Sequence, residues 1–164
     1  MNSKKPIVIK DDFEKSPQFL EKKSAAEKAA KTKLFVHHLE HQLLYEPIEI
    51  NYSLSGCFNF NYYRMTLSKI SQEYFMKLYI IRAPDMRIAE EQYFQNKGDS
   101  ILLKLTPKDL NNLKKSLVVN RKRVSTMHNY IAITQGATTY ELMDENPEHP
   151  LLYFIMDIEK GAKK

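Results

Sequence analysis

From Phe19 to Leu44 the chain contains neither glycine nor proline, and from Ile48 to Tyr62 its residues alternate in polarity. The first property permits an unbroken helix, and the second is the period of a half-buried strand. A chain that contains both must pack helices against a sheet. The expected class is therefore α+β: a small, mainly antiparallel sheet with packed helices, preceded by a long N-terminal helix.

The helix is expected to run from Ser16-Pro17, a capping residue followed by a proline at the first helical position, to about Leu44. Glu46-Pro47 ends it, because the residue before proline is pushed out of the α region. Its centre, Ser24 to Lys31, has high helix propensity and little apolar surface. Its second half carries Leu34, Phe35, Leu39, Leu43 and Leu44 at spacings near four, a stripe that must pack either on its own domain or on another subunit. The organisation that follows is a flexible lead and polar helical arm over 1–33, one α+β domain over 34–160, and a disordered tail over 161–164.

Beyond the helix, residues 48–54 and 57–62 read as a β-hairpin around Ser55-Gly56. The spacing of Leu67, Ile70, Tyr74, Phe75, Leu78 and Ile81 favours a helix, with Met76–Ile81 as an alternative strand. Pro84 to Gln95 reads as a short helix and residues 101–105 as a strand. Thr106-Pro107-Lys108-Asp109 opens a helix that uses Leu110, Leu113 and Leu117. Strands are expected over 130–134 and 139–143, and the apolar run Leu151 to Ile158 has strand length.

Composition excludes several chemistries. The 164 residues include one cysteine, Cys57, so an intrachain disulfide and a zinc site with two cysteine ligands are ruled out. The four glycines, at 56, 98, 136 and 161, are too scattered to build a P-loop or a dinucleotide fingerprint. No apolar run reaches the roughly 18–20 residues of a membrane span. The start lacks the apolar stretch of a secretory signal, so a cytoplasmic, soluble protein without a membrane partner is expected.

Local patterns supply candidate sites. His37, Glu40 and His41 match the H-x-x-E-H spacing of inverted zinc proteases, but no further motif element accompanies them. They are read as a polar helix face, and no metal is assigned. Cys57 as a nucleophile would need His128 or His149 beside it; inside an aromatic strand it is read as a small hydrophobe. Asn51-Tyr52-Ser53-Leu54-Ser55-Gly56 resembles the D/N-x-S-x-x-G element of PilZ domains, a family that binds cyclic di-GMP. The arginine-rich element of that family is missing, since no arginine precedes Arg64, and a turn accounts for Ser55 and Gly56. No catalytic residue and no cofactor is assigned.

The formal charge of +5 is unevenly spread. Residues 61–130 carry thirteen basic and six acidic side chains, and residues 131–164 carry three and six. Lys114, Lys115, Arg121, Lys122 and Arg123 concentrate the basic charge at one helix end, as phosphate contact requires. Two functions are therefore expected. The first is a non-enzymatic binding or adaptor component of a larger assembly, meeting a protein partner or a second copy through Leu34, Phe35, Leu39 and Leu43. The second is nucleic-acid binding through the basic segment 114–123. A metal-dependent or cysteine hydrolase stands third.

Overall fold

The computed structural model describes residues 17–55, 60–95, 98–117, 129–144 and 149–162. They form five helices and six strands in the order α1 (Pro17–His37), α2 (Leu39–Gln42), β1 (Ile48–Ser55), β2 (Phe60–Ile70), β3 (Glu73–Ala83), α3 (Met86–Phe94), β4 (Asp99–Leu105), α4 (Pro107–Leu117), β5 (Asn129–Gln135), β6 (Thr138–Asp144) and α5 (Pro150–Ala162). The strands make one antiparallel sheet in the order β4-β3-β2-β1-β5-β6. The fold is thus α+β. Among the described residues no helix is long and apolar enough to cross a membrane.

Register builds the core. Ile133, Ile50, Met65, Leu78 and Ile101 lie opposite one another on successive strands, and Ile131, Tyr52, Tyr63 and Ile80 form the adjoining row. Period-two alternation turns all of them to one sheet face. Phe35, Val36, Leu39 and Leu43 cover that face from the N-terminal helices, Leu110, Leu113 and Leu117 from α4, and Leu151, Phe154 and Ile155 from α5. Each fully buried aliphatic side chain contributes about 1.5–3 kcal/mol relative to exposure. The opposite face carries α3, whose Ala89 packs with Ile81 and Ala83 in a smaller cluster.

Three expectations are corrected. The segment 67–81 is not a helix: it is the last four residues of β2, a two-residue turn and most of β3, so that the alternative strand over Met76–Ile81 falls within β3. Its apolar residues fall on both sheet faces, so two out-of-phase strands imitate a helical spacing. Leu67, Met76 and Leu78 face the core, while Phe75 and Ile81 face away. The run 151–158 is not a strand. Leu151, Phe154, Ile155 and the half-buried Ile158 repeat at helical intervals, and Pro150 stands at the first position of α5. The helix expected to reach Leu44 is interrupted at His38, which leaves the helical region with φ −102° and ψ 29°.

The turns explain the hairpins. Ser71, in the two-residue link between β2 and β3, holds φ at 57°. A side chain in this left-handed region carries a steric cost that glycine lacks, partly offset by glycine's greater backbone entropy. Ser71→Gly is therefore expected to raise stability by about 0.5–1 kcal/mol, read as a higher urea midpoint with an unchanged slope. Gly136 takes φ 55° in the β5–β6 turn, and a Cβ there would lie 2.5 Å from Glu46 Oε1.

Helix starts follow the sequence closely. Asp85 caps α3 by accepting from the Ile88 amide at 2.9 Å. Thr106 and Asp109 cap α4 reciprocally: the Asp109 amide donates to Thr106 Oγ1 at 3.2 Å, and the Thr106 amide donates to Asp109 Oδ2 at 2.8 Å.

Candidate functional site

The break at His38 shapes the surface on which the candidate residues meet. It turns α2 down onto the sheet, so that Leu39 (0% exposed) and Leu43 (5%) join Phe35 (7%) in the protein's own core. Phe35 also rests on Tyr140 of β6, with ring centroids 4.8 Å apart. The stripe expected to meet a partner therefore finds most of its partner in its own sheet. Leu34 differs: it remains 61% exposed on the outer side of α1.

Leu34 stands between two hollows. One, of about 600 Å³, lies between α1 and α4 and has Ala30, Leu34 and Val36 as its apolar lining, with Lys33, Lys114 and Lys115 around it. The other, of about 350 Å³, lies between α1, α2 and Tyr140, with Lys31, His38 and His41 on its rim. Above them the described side chains of α1 from Glu21 to Lys31 are exposed apart from the half-buried Ala25, and Thr32 is the first buried one, donating from Oγ1 to the Lys28 carbonyl at 2.8 Å.

The basic segment is divided by the fold. Lys114 reaches across from α4 and donates to both carboxylate oxygens of Glu40 at 2.7 Å, with the His37 carbonyl 3.5 Å away. It thus satisfies a carbonyl at the end of α1 as well as a carboxylate. Burial would raise the Glu40 carboxyl, but the Lys114 hydrogen bonds and charge outweigh it and hold the group below its ordinary value. Lys115 is exposed beside the α1–α4 hollow. Arg121, Lys122 and Arg123 lie outside the described residues. Of the five basic candidates, then, Lys114 is engaged within the protein and Lys115 faces solvent.

The remaining candidates separate. The His37 ring meets His38 edge to face at 4.8 Å, whereas His41 meets Tyr45 at 5.4 Å and lies within 3.3 Å of its hydroxyl. Glu40, the third member of the zinc-like spacing, is held by Lys114. Among the described residues no group of three or more His, Cys, Asp or Glu side chains converges as metal ligands would. Cys57, His128 and Gly56 lie outside the described residues; His149 precedes α5 with φ 43°.

Sequence reasoning missed two features. Gln135, at the end of β5, donates from Nε2 to the Gln42 carbonyl at 2.8 Å and to the Glu46 carbonyl at 2.9 Å. This ties the α2 exit to the sheet, and only the strand register reveals it. The second is an aromatic assembly where α3 crosses the opposite sheet face. The Arg64 guanidinium lies 4.7 Å from the Tyr79 ring centre and 4.9 Å from that of Tyr93, and Tyr93 meets Tyr62 at 4.8 Å. Strand alternation placed Tyr62 on a face, but nothing in the sequence brought Tyr93 to it.

No protein-family model, curated protein or solved structure matches this chain.

Proposed function

We propose that the chain is a non-enzymatic binding component of a larger protein assembly, and that it receives a partner's amphipathic helix on the Leu34 surface. The observation that carries this reading is Leu34 itself: a leucine left 61% exposed between two hollows, the one large apolar side chain exposed among the described side chains of α1. A protruding apolar residue flanked by concavities suits a partner helix whose side chains enter the hollows at i and i+4. The charge supports an acidic flank on that helix, since Lys31, Lys33 and Lys115 border the hollows. The polar arm 17–33 adds contacts beyond the hollows.

A photo-crosslinking residue placed at 34 in the native host, with a second at 102 on the opposite sheet face as control, tests the reading. One partner is expected to be captured from position 34 and not from 102. Leu34→Asp is expected to weaken that partner at least about tenfold, because a central apolar anchor carries roughly 1–2 kcal/mol or more. Its thermal midpoint should stay unchanged, since the residue is exposed. Equal capture from both positions, or undiminished affinity of Leu34→Asp, rejects the proposal.

A further inference from the structure

The sheet face turned away from the Leu34 surface holds a smaller hollow with a distinct chemical character. Ser53, Phe60 and Tyr62 line it from the sheet, and Ala89, Glu90, Tyr93 and Phe94 line it from α3, around about 230 Å³. This is below the roughly 300–1,000 Å³ of drug-sized sites, so the space suits a small head group.

Four of the seven lining side chains are aromatic. Tyr93 meets Tyr62 at 65° between ring planes and meets Phe94 at 78°, with centroids 4.8 and 5.5 Å apart. Rings inclined in this way enclose a volume instead of stacking into a slab. Burial, followed by the neighbouring Tyr93, raises the Tyr62 hydroxyl far above its ordinary value, so the ring stays neutral.

Glu90 supplies the one formal charge in the lining. Among the described residues no ion pair engages it. Aromatic faces carry negative quadrupole density, and a carboxylate adds a full negative charge. Both favour a cation over an anion or a neutral group.

The type of cation follows from hydrogen bonding. A primary ammonium has three N–H donors, and burying them requires acceptors. The walls are mostly carbon. An alkylated ammonium has no such demand and places its charge on a shell of methyl groups that ring faces receive directly. Tyr93 already receives a cation in this way, from Arg64.

We propose that this hollow binds a trimethylammonium group, with Phe60, Tyr62, Tyr93 and Phe94 as its aromatic walls and Glu90 as its counter-charge. This is independent of the Leu34 surface, and neither proposal falls with the other. Two sources carry this chemistry: a free choline-like compound and the trimethylated side chain of a peptide lysine.

The test is a titration of the full chain, followed by tyrosine ring resonances, with choline, with its neutral isostere 3,3-dimethylbutanol and with a trimethyl-lysine peptide. Choline is expected to bind roughly tenfold tighter than the isostere, in line with a cation–aromatic contribution. Glu90→Gln and Phe94→Ala are each expected to weaken choline roughly fivefold or more. Phe94 is 78% exposed and Glu90 lies on the outer surface of α3, so both variants retain the fold. Tighter binding of the peptide assigns the source to a modified protein, tighter binding of choline assigns it to a free compound, and either supports the proposal. Equal affinity for choline and the isostere, an unaffected Glu90→Gln variant, or no saturable shift with any of the three overturns it.

Discussion

Leu39→Ala is expected to remove about 2–5 kcal/mol of stability, the range for truncating a large aliphatic side chain in a packed core. Leu39 is wholly buried and is the first residue after the break at His38. It belongs to the main core cluster, which joins residues of the sheet to residues of the helices that cover it. A loss of 3 kcal/mol lowers the thermal midpoint by about 6–12 °C for a chain of this size. Leu34→Ala, one turn earlier and exposed, should stay within about 0.5 kcal/mol of the parent. Urea titration of the pair checks both. A Leu39→Ala loss below about 1 kcal/mol contradicts the assignment of this position to the core.

Lys114→Glu is expected to cost about 1–2 kcal/mol, between the values for exposed and buried ion pairs. The estimate is modest because the Lys114 and Glu40 side chains keep 21% and 39% of their exposure. The substitution sets two carboxylates facing each other and leaves the His37 carbonyl without its Lys114 donor. The reciprocal change, Glu40→Lys with Lys114→Glu, restores opposite charges and should recover at least half of the loss. A double change no better than the single one would show that pairing is not the cause.

The pH dependence has a definite sign. The folded Glu40 carboxyl lies below its ordinary value of 4.5. The pair's contribution is therefore complete above that value and disappears as pH falls through the lowered folded one. The parent should lose the advantage of the pair on acidification, and the deficit of Lys114→Glu should narrow as its carboxylates protonate.

Legibility in the sequence followed the strength of local signals. The α4 start was readable because Thr106, Pro107 and Asp109 act within one turn. The β1–β2 and β5–β6 hairpins were readable from alternation, with Gly136 marking the second turn. The β2–β3 hairpin was hidden because Ser71-Gln72 is not one of the glycine-containing pairs that mark two-residue hairpin turns, and Phe75 and Ile81 fill the second face. The helix α5 was hidden because the apolar run from Leu151 to Ile158 also has the length of a strand, although Pro150 signals a helix start.

The site was legible only in part, for a different reason. Leu34, Phe35, Leu39 and Leu43 belong to one apolar pattern, and periodicity cannot say which member faces inward once the helix breaks. Lys114 looked like surface charge because Glu40 lies far away in sequence, and only the packing of α4 against α1 and α2 joins them. The α3 hollow joins Tyr62 to Tyr93 across a strand and a turn, a relation that composition does not encode.

The sheet order also governs how the chain acquires its shape. β1, β2, β3 and β4 form a local meander, and β5 with β6 forms a separate hairpin. The two are joined along one seam, where Glu49 meets Thr134 and Leu54 meets Asn129. These residues come from opposite halves of the chain, so closing the seam carries a loop-entropy cost that the meander avoids. Until it closes, β1 and β5 are both open edges bearing Ile48, Ile50, Ile131 and Ile133. The native sheet hides them at its centre. The time when this chain is most exposed to self-association is therefore during its synthesis, after the meander has formed and before its last hairpin arrives.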